Sequence, residues 1–309
     1  MAGPGRFGAV MTAMVTPFDD HFALDLDGAA AVARWLVDHG SDALVVAGTT
    51  GEGTVLSNDE KAELWRAVAE AVTVPVIAGA GTNDTRHSVE LTRLAEVAGA
   101  AGILAVTPYY NRPSQAGLDA HFRAVASATS LPVLIYDIPF RTGRKVANDT
   151  MLGLAREVSN IVGVKDAAGD VAGTARLVAE APRDFDVYSG EDVLNLAMVS
   201  VGACGAISVV SHWAGDEVAR MMSDLAKGDL ERARARNAAL IPSYGFMSTD
   251  DAPNPLPAKA MMRHLGLPVG QCRLPMGPAP ASVEKRAADV LAGLRARSGT
   301  GRPPREPVG

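Results

Sequence analysis

Lys165 stands at the end of an apolar segment, IVGVKD at residues 161–166, where a buried amine has a chemical use. The chain has six lysines, and the other five fall in helical or loop segments. Desolvation lowers the pKa of a buried lysine, and a neutral amine attacks a ketone to form an imine. A buried ion pair with Asp166 is the competing interpretation, because charged pairs also occur at strand ends. Position alone leaves both interpretations open.

Two further side chains lie at the end of the preceding apolar segment and just beyond it. Tyr136 ends the run VLIY at residues 133–136, where its hydroxyl can relay protons to a lysine on the next strand. Arg141 follows on the adjacent loop, and its planar guanidinium suits a substrate carboxylate. Alone, these residues are typical of a half-buried tyrosine and a surface arginine. Their combination with Lys165 favours a shared site.

Two loop motifs follow other apolar runs. In GTTGEG at residues 48–53, backbone N–H groups and the hydroxyls of Thr49 and Thr50 suit a small anion, although an ordinary tight turn is the alternative. The motif TPYYNRP at residues 107–113 contains the adjacent tyrosines Tyr109 and Tyr110. These tyrosines either take part in the chemistry or pack a subunit interface, where tyrosine is common.

Other chemistries have no support in the sequence. The six histidines show no metal-ligand spacing, and there is neither a G-x-S-x-G motif nor a P-loop. Cys204 and Cys272 are too few for a disulfide framework and fit two reduced thiols. The sequence therefore gives no argument for a catalytic metal ion.

Charge and hydropathy limit the expected partners. The net charge is -6, the pI is about 5.5, and no basic run suggests nucleic acid. No apolar run approaches the roughly 20 residues of a membrane span. The first eight residues show no secretion signal. We expect a cytoplasmic protein that acts on small molecules and binds neither nucleic acid nor membrane.

Eight short apolar runs alternate with helical segments in the first three quarters of the chain. The runs are nearly continuous in Val, Ile, Leu and Ala, which is typical of parallel strands buried on both faces. The predicted strands are Ala9–Thr16, Ala43–Ala47, Val76–Ala80, Gly102–Thr107, Val133–Ile138, Ile161–Asp166, Asp186–Ser189 and Gly205–Val209. Eight strand–helix units predict a closed (β/α)8 TIM barrel, with its active site at the carboxyl ends of the strands. A doubly wound sheet is the alternative, but no Gly-rich phosphate turn follows the first strand.

The helical segments divide the chain into a predicted barrel and a C-terminal appendage. Barrel helices are predicted at Asp25–His39, Ser57–Val72, Asp84–Ala98, Gln115–Ala128, Asp149–Glu157, Val171–Ala181, Asp192–Val201 and Gly215–Lys227. Three later helices are predicted at Asp229–Ile241, Pro257–Leu265 and Ser282–Arg295. We therefore predict a barrel over 1–228, a small helical domain over 229–297 and a disordered tail over 298–309.

The motifs, in their order along the chain, resemble the dihydrodipicolinate synthase family of the N-acetylneuraminate lyase superfamily. The resemblance runs from about Gly8 to Pro278. It rests on GTTGE at 48–52, TPYYN at 107–111, YDIP at 136–139 with Arg141, and VKD at 164–166. The motifs SGED at 189–192, GAIS at 205–208 and PNPLPAK at 253–259 add to it.

The resemblance implies a reaction and a catalytic group. Lys165 would form an imine with pyruvate, which then condenses with L-aspartate 4-semialdehyde to give 4-hydroxy-tetrahydrodipicolinate, in lysine and diaminopimelate biosynthesis. Tyr136, Thr49 and Tyr110 would form a proton relay. Tyr110 would reach into the site of a neighbouring subunit, and the family implies a homotetramer made of two tight dimers. The lysine serves as electron sink, so no cofactor is implied.

The resemblance also implies how substrates are held. Thr50 and the backbone near Gly51 would hold the pyruvate carboxylate, and Arg141 would bind the carboxylate of the semialdehyde. Gly190 and the carbonyl of Ile207 would line the pocket.

Two positions that differ from the family pattern bear on an effector site for lysine. Lysine-inhibited members use a histidine and a glutamate where this chain has Lys61 and His87, whereas Asn83 and Tyr109 match. Lys61 would repel a cationic ligand, and His87 does not replace the carboxylate. We predict weak or absent inhibition by lysine.

Two other functions compete with the synthase. One is a pyruvate aldolase or lyase of the same superfamily that acts on another aldehyde or 2-keto acid. Phe140 bears on this alternative, because it stands where a small residue usually precedes the arginine and we expect it to crowd the second-substrate pocket. The other is a non-catalytic paralogue, against which the intact Lys165, Tyr136, Thr49 and Tyr110 argue.

Overall fold

A closed barrel of eight parallel strands forms the centre of the molecule. The computed structural model describes residues 4–298, and the strands follow one another around the barrel in chain order, with the first hydrogen-bonded to the last. They are β1 (Val10–Ala13), β2 (Ala43–Val46), β3 (Val76–Gly79), β4 (Gly102–Val106), β5 (Val133–Asp137), β6 (Ile161–Asp166), β7 (Asp186–Ser189) and β8 (Gly205–Ser208). The predicted TIM barrel is confirmed, and the doubly wound alternative is wrong.

Helices surround this barrel. They are α1 (Leu26–Asp38), α2 (Asn58–Ala71), α3 (Thr85–Val97), α4 (Gln115–Ala126), α5 (Pro139–Thr142), α6 (Asn148–Glu157), α7 (Val171–Glu180), α8 (Asn195–Ser200) and α9 (Ser211–Ala226). A capping box formed by Ser57 and Glu60 begins α2, and the Asp84 side chain caps the start of α3. The single turn α5 was not predicted, and α9 begins four residues before the predicted Gly215.

The strands separate two apolar clusters. Alternate residues point inward and outward along a strand, so Leu134 and Tyr136 lie in the barrel interior, while Val133 and Ile135 pack under the surrounding helices. Both clusters are almost fully buried, which explains why the strands read as continuous apolar runs.

A β-bulge at Val162 sets the register of β6. Val133 pairs with Ile161, but the next residue, Leu134, pairs with Gly163, so Val162 is the extra residue. Without the bulge, the position level with Tyr136 would belong to Val164. With it, Lys165 pairs with Tyr136 and therefore shares its inward-facing side.

Three helices follow the barrel: α10 (Leu230–Tyr244), α11 (Leu256–His264) and α12 (Ala281–Ser298). They pack against one another and against α9, and Leu240, Met261 and Leu291 are buried between them. The domain boundary at 228/229 stays a prediction. The tail predicted for 298–309 lies outside the described residues, apart from Ser298 at the end of α12. No helix in the described part of the chain is long and apolar enough to cross a membrane.

Candidate active site

Lys165 is a buried amine at the carboxyl end of the barrel. Its side chain is 5% exposed, and its Nζ lies 4.2 Å from the centroid of the Tyr136 ring. Desolvation lowers the pKa of Lys165 to about 8, and the nearby Arg141 guanidinium acts in the same direction, while Asp192 and Glu191 oppose it. At pH 7 about a tenth of this amine is therefore neutral and nucleophilic, far more than for an exposed lysine with its usual pKa.

Asp166, the carboxylate proposed as an ion-pair partner of Lys165, bonds elsewhere. Its Oδ2 accepts a hydrogen bond from Thr174 Oγ1 at 2.6 Å, and its Oδ1 accepts one from the backbone N–H of Ala168 at 3.0 Å. Lys165 makes no ion pair with any residue that the structure describes, whereas Lys145 and Lys259 do. The ion-pair interpretation of Lys165 is therefore wrong.

Asp192 is a buried carboxylate near Lys165 to which sequence reasoning gave no role. Its oxygens accept hydrogen bonds from the backbone N–H groups of Val209 and Val210 at 2.7 and 2.9 Å. The Ser208 hydroxyl donates at 2.5 Å and the Asn195 amide at 3.0 Å. These four donors fix the carboxylate beneath the end of β8. In the sequence it is the last residue of the SGED motif at 189–192, just after the carboxyl end of β7.

Tyr136 and Thr49 meet beside Lys165. Burial raises the pKa of the Tyr136 phenol to about 12, while the Arg141 charge and a hydrogen bond with the Thr49 side chain lower it. The phenol therefore keeps its proton at neutral pH while it touches a second hydroxyl. That pair, beside Lys165, can pass a proton to and from a reacting atom.

The Thr49–Thr50 turn is tied to the C-terminal part of the chain. Thr50 is buried, and its Oγ1 accepts a hydrogen bond at 2.9 Å from the side-chain amide of Asn254, just before α11. Gly51 offers its carbonyl to the Thr16 hydroxyl at 2.6 Å. Sequence reasoning missed Asn254, although it lies within the PNPLPAK motif.

Arg141 and Phe140 sit side by side on the one-turn helix α5 but point in different directions. Arg141 lines the cavity that also contains Tyr136 and Thr49, and its Nη2 lies 3.4 Å from the carbonyl of Asn254. Phe140 is 91% exposed and does not line this cavity. In the single chain Phe140 therefore does not narrow this cavity, and its effect on the second substrate stays a prediction.

Gly190 lies close to the Lys165 side chain, and Ile207 lies in the barrel wall. A Cβ at Gly190 would lie 2.9 Å from Lys165 Cγ, so the lysine stem passes over this glycine. Ile207, on β8, is buried in the interior cluster together with Tyr136. Only a glycine at position 190 leaves room for the lysine in its observed position.

Tyr110 is the one predicted catalytic residue that the single chain does not bring to the others. It is 89% exposed and has a left-handed φ of 73° on the loop after β4. That conformation is costly for a side chain larger than glycine. A role for Tyr110 therefore needs a second copy of the chain.

The described residues contain no group of three or more His, Cys, Asp or Glu side chains arranged to hold a metal ion. The groups that this site offers are an amine, a phenol, hydroxyls, a guanidinium and buried carboxylates. They are suited to imine formation and proton transfer on an anionic carbonyl compound.

Comparison with known proteins agrees with this geometry. The model of the dihydrodipicolinate synthetase family matches residues 6–293. The chain belongs to this family. A 4-hydroxy-tetrahydrodipicolinate synthase from Moorella thermoacetica is 48% identical over 93% of this chain and 98% of its own length. The corresponding synthase from Acidothermus cellulolyticus is also 48% identical, over 94% of this chain and 93% of its own.

Solved structures show the same likeness. The crystal structure of the family member from Cyanidioschyzon merolae with lysine bound matches with a TM-score of 0.91 and 40% identity. The match covers 94% of this chain and 99% of that one. Membership of the family therefore extends from the barrel through the C-terminal helices.

Proposed function

We propose that the protein condenses pyruvate with L-aspartate 4-semialdehyde to give 4-hydroxy-tetrahydrodipicolinate. One observation carries the proposal: a buried Lys165, with no ion-pair partner among residues 4–298, lies level with Tyr136 and beside a hydroxyl-rich turn. The relatives named 4-hydroxy-tetrahydrodipicolinate synthase support the choice of reaction.

The proposed chemistry begins at the neutral amine of Lys165. Its lone pair attacks C2 of pyruvate, and loss of water from the resulting carbinolamine gives an imine. Protonation of the imine nitrogen makes the methyl group of pyruvate acidic, and loss of one methyl proton gives an enamine. The enamine carbon bonds to the aldehyde carbon of the semialdehyde, whose oxygen takes up a proton. The amino group of the bound product then attacks the imine carbon, closes the ring and releases Lys165.

Tyr136 and Thr49 are the proposed proton carriers for these steps. The carbinolamine must gain a proton to lose water, and the aldehyde oxygen must gain one as the new bond forms. A phenol whose pKa lies at about 12 holds its proton until a basic oxygen develops beside it. Tyr110 would extend the relay from a neighbouring subunit.

The two carboxylates of the substrates have separate proposed partners. The hydroxyls of the Thr49–Thr50 turn and the backbone near Gly51 would hold the carboxylate of pyruvate. The hydrogen bond from Asn254 to Thr50 fixes the orientation of this turn. Arg141, at the edge of the same cavity, would bind the carboxylate of the semialdehyde in a bidentate manner. Gly190 and the Ile207 carbonyl would form the remaining wall.

Borohydride reduction in the presence of pyruvate tests the mechanism. We expect one pyruvate adduct per chain in the intact mass, and peptide mapping should place it on Lys165. Lys165→Met should give no adduct, while Lys227→Met, which removes an exposed lysine, should behave as wild type. An adduct on another lysine in the wild-type protein would exclude the proposed imine.

A panel of aldehydes tests the second substrate. We expect the highest kcat/KM with L-aspartate 4-semialdehyde, because Arg141 recognises its carboxylate. A better acceptor among aldehydes without a carboxylate would favour another aldolase of the superfamily. The control is Arg141→Lys, which keeps the positive charge but cannot form two parallel hydrogen bonds to a carboxylate. In this variant the ratio of kcat/KM for the semialdehyde to kcat/KM for aldehydes without a carboxylate should be smaller.

The homotetramer and the cytoplasmic location belong to the same proposal. The exposed Tyr110 and Phe140 fit a surface that a second copy covers, because tyrosine and phenylalanine are enriched at protein interfaces. Sedimentation velocity should give the mass of four chains. A monomer that turns over at the full rate would exclude the proposed role of Tyr110.

A further inference from the structure

Glu191 is a half-buried carboxylate beside the active site to which the proposed mechanism gives no role. It follows Gly190, the glycine over which the Lys165 side chain passes. Its side chain does not cap the helical turn that begins after it, and it forms no hydrogen bond or ion pair with any residue that the structure describes. A carboxylate that is partly removed from water is costly without a partner. The missing partner is the first observation that points to a ligand.

The charges around Glu191 are those of the active site. In addition to burial, the Glu191 charge acts on the pKa of Lys165 and on that of Tyr136, so the carboxylate lies close to both. Burial and then the Asp192 charge raise the pKa of Glu191 above its usual value, while the Lys165 and Arg141 charges oppose them. The carboxylate therefore stands near the amine that forms the imine and near the arginine that would bind the second substrate.

The neighbouring carboxylate does not have the same freedom. Four hydrogen bonds already occupy the oxygens of Asp192 and hold it beneath the end of β8. Of the two acidic residues that follow β7, only Glu191 has carboxylate oxygens without a donor among residues 4–298. Glu191 is therefore the residue of this pair that can take a cationic group of a substrate.

The second substrate of the proposed reaction has such a group. L-Aspartate 4-semialdehyde carries an ammonium and a carboxylate on the same carbon, so an arginine and an acidic residue near each other match the two charges. We propose that Glu191 binds the ammonium group of the semialdehyde and accepts one proton from it before the ring closes. This inference rests on the proposed function, in which Arg141 holds the carboxylate of the same substrate.

Ring closure requires this proton transfer, because an ammonium nitrogen has no lone pair with which to attack the imine carbon. One N–H bond breaks, the proton forms an O–H bond with the Glu191 carboxylate, and the freed electron pair bonds to the imine carbon. The raised pKa of Glu191 makes its carboxylate a better base than an exposed glutamate. Tyr136 cannot take this role while its phenol, with a pKa of about 12, keeps its proton.

A comparison of two aldehydes tests the proposal. Succinic semialdehyde has the aldehyde and the carboxylate of L-aspartate 4-semialdehyde but no amino group, so it cannot use Glu191 or close the ring. Glu191→Gln should lower kcat/KM for L-aspartate 4-semialdehyde about tenfold or more, because a charged hydrogen-bond partner is lost. The concentration of succinic semialdehyde that half-saturates its borohydride-trapped adduct with the pyruvate-loaded enzyme should stay unchanged.

A second measurement separates the proton transfer from binding. When Glu191→Gln turns over L-aspartate 4-semialdehyde and is quenched with borohydride, the open-chain adduct on Lys165 should accumulate in the intact mass. Glu191→Asp restores the charge and should recover part of the lost kcat/KM. Glu63→Gln makes the same change in net charge at an exposed position of α2 and should behave as wild type. Thermal unfolding of each variant checks that it is folded.

Two outcomes would overturn the proposal. The first is an equal loss with both aldehydes in Glu191→Gln, which would mean that Glu191 acts through Lys165 or the fold. The second is a kcat/KM for L-aspartate 4-semialdehyde that Glu191→Gln leaves unchanged. Failure of the proposed function is a different result, because the wild-type protein itself would then form the pyruvate adduct without turning over L-aspartate 4-semialdehyde.

Discussion

Replacement of Lys259 by methionine should destabilise the protein and weaken pyruvate binding, although Lys259 belongs to the C-terminal helix α11. Its Nζ lies 2.7 Å from Glu52 Oε1, and the two side chains are 0% and 3% exposed. Lys259 also donates to the carbonyl of Gln271 at 2.9 Å and lies 4.2 Å from the centroid of the Phe18 ring. Glu52 also accepts a hydrogen bond from the backbone N–H of Arg273 at 2.9 Å.

The magnitude follows from the burial of both charges. Methionine keeps the unbranched shape that packs on Phe18, so the main loss is the charge. Removal of one partner from a buried ion pair leaves the other charge uncompensated and typically costs about 3–5 kcal/mol. A hydrogen bond from a backbone N–H does not replace the charge of the ammonium. We therefore expect the free energy of unfolding to fall by about 3–5 kcal/mol.

The effect on function follows from the position of Glu52. It has a left-handed φ of 55°, and its N–H donates to the carbonyl of Thr49 at 3.1 Å. Such a backbone conformation costs about 1–3 kcal/mol and persists only where its surroundings enforce it. Without Lys259, Glu52 would turn toward water and disturb the Thr49–Thr50 turn. The KM for pyruvate should rise about tenfold, equivalent to about 1.4 kcal/mol, while kcat changes less.

Urea unfolding at a fixed protein concentration measures the stability term, and steady-state kinetics measures the KM. Lys227→Met is the matched control. In the double variant Glu52→Gln/Lys259→Met no charge is buried alone, so its stability should lie closer to wild type than that of Lys259→Met. A loss below about 0.5 kcal/mol in Lys259→Met, or losses that simply add in the double variant, would refute the reasoning.

Four further outcomes follow from the site. The neutral amine is the nucleophile, so kcat/KM for pyruvate should rise as the pH approaches the Lys165 pKa of about 8 and level off above it; a pH-independent profile would contradict this. Tyr136→Phe should lower kcat by about 10²- to 10⁴-fold and slow formation of the borohydride-trapped adduct without abolishing it, because the carbinolamine loses a proton donor but Lys165 is still present. L-Lysine should inhibit weakly or not at all because Lys61 repels it, and strong inhibition in a steady-state assay would contradict this. Burial raises the pKa of Asp137 from 3.8 to about 7, so the free energy of unfolding should fall as the pH rises through that range and the buried carboxyl loses its proton. Urea unfolding at a series of pH values should show a smaller fall for Asp137→Asn than for the wild-type protein.

The barrel was predictable because its determinants are local. Each strand is buried on both faces and reads as an apolar run, and signals such as the Ser57 capping box mark where helices begin. The helix α5 was missed because one turn is too short to show a period. The direction of Phe140 was missed for the same reason, since only the turn of α5 decides that Arg141 faces the cavity and Phe140 faces solvent.

The parts of the site that sequence reasoning missed depend on register and on distant contacts. Lys165 was found as a strand-end lysine, but only the bulge at Val162 brings it level with Tyr136, and no residue type announces that bulge. The hydrogen bond from Asn254 to Thr50 joins positions 204 residues apart. Lys259 was read as one of the lysines outside the strands, although it is fully buried against Glu52.

The state of Lys165 depends on where the nearby carboxylates are held. Asp192 is close enough to favour the charged amine, yet its oxygens are occupied by four donors, including the N–H groups of Val209 and Val210. A carboxylate free to rotate would form an ion pair with Lys165 and hold its proton, which would remove the nucleophile. A carboxylate further away would not compensate the positive charge of the protonated imine that forms at Lys165. The restrained Asp192 meets both requirements, because it stabilises positive charge at Lys165 without capturing the amine.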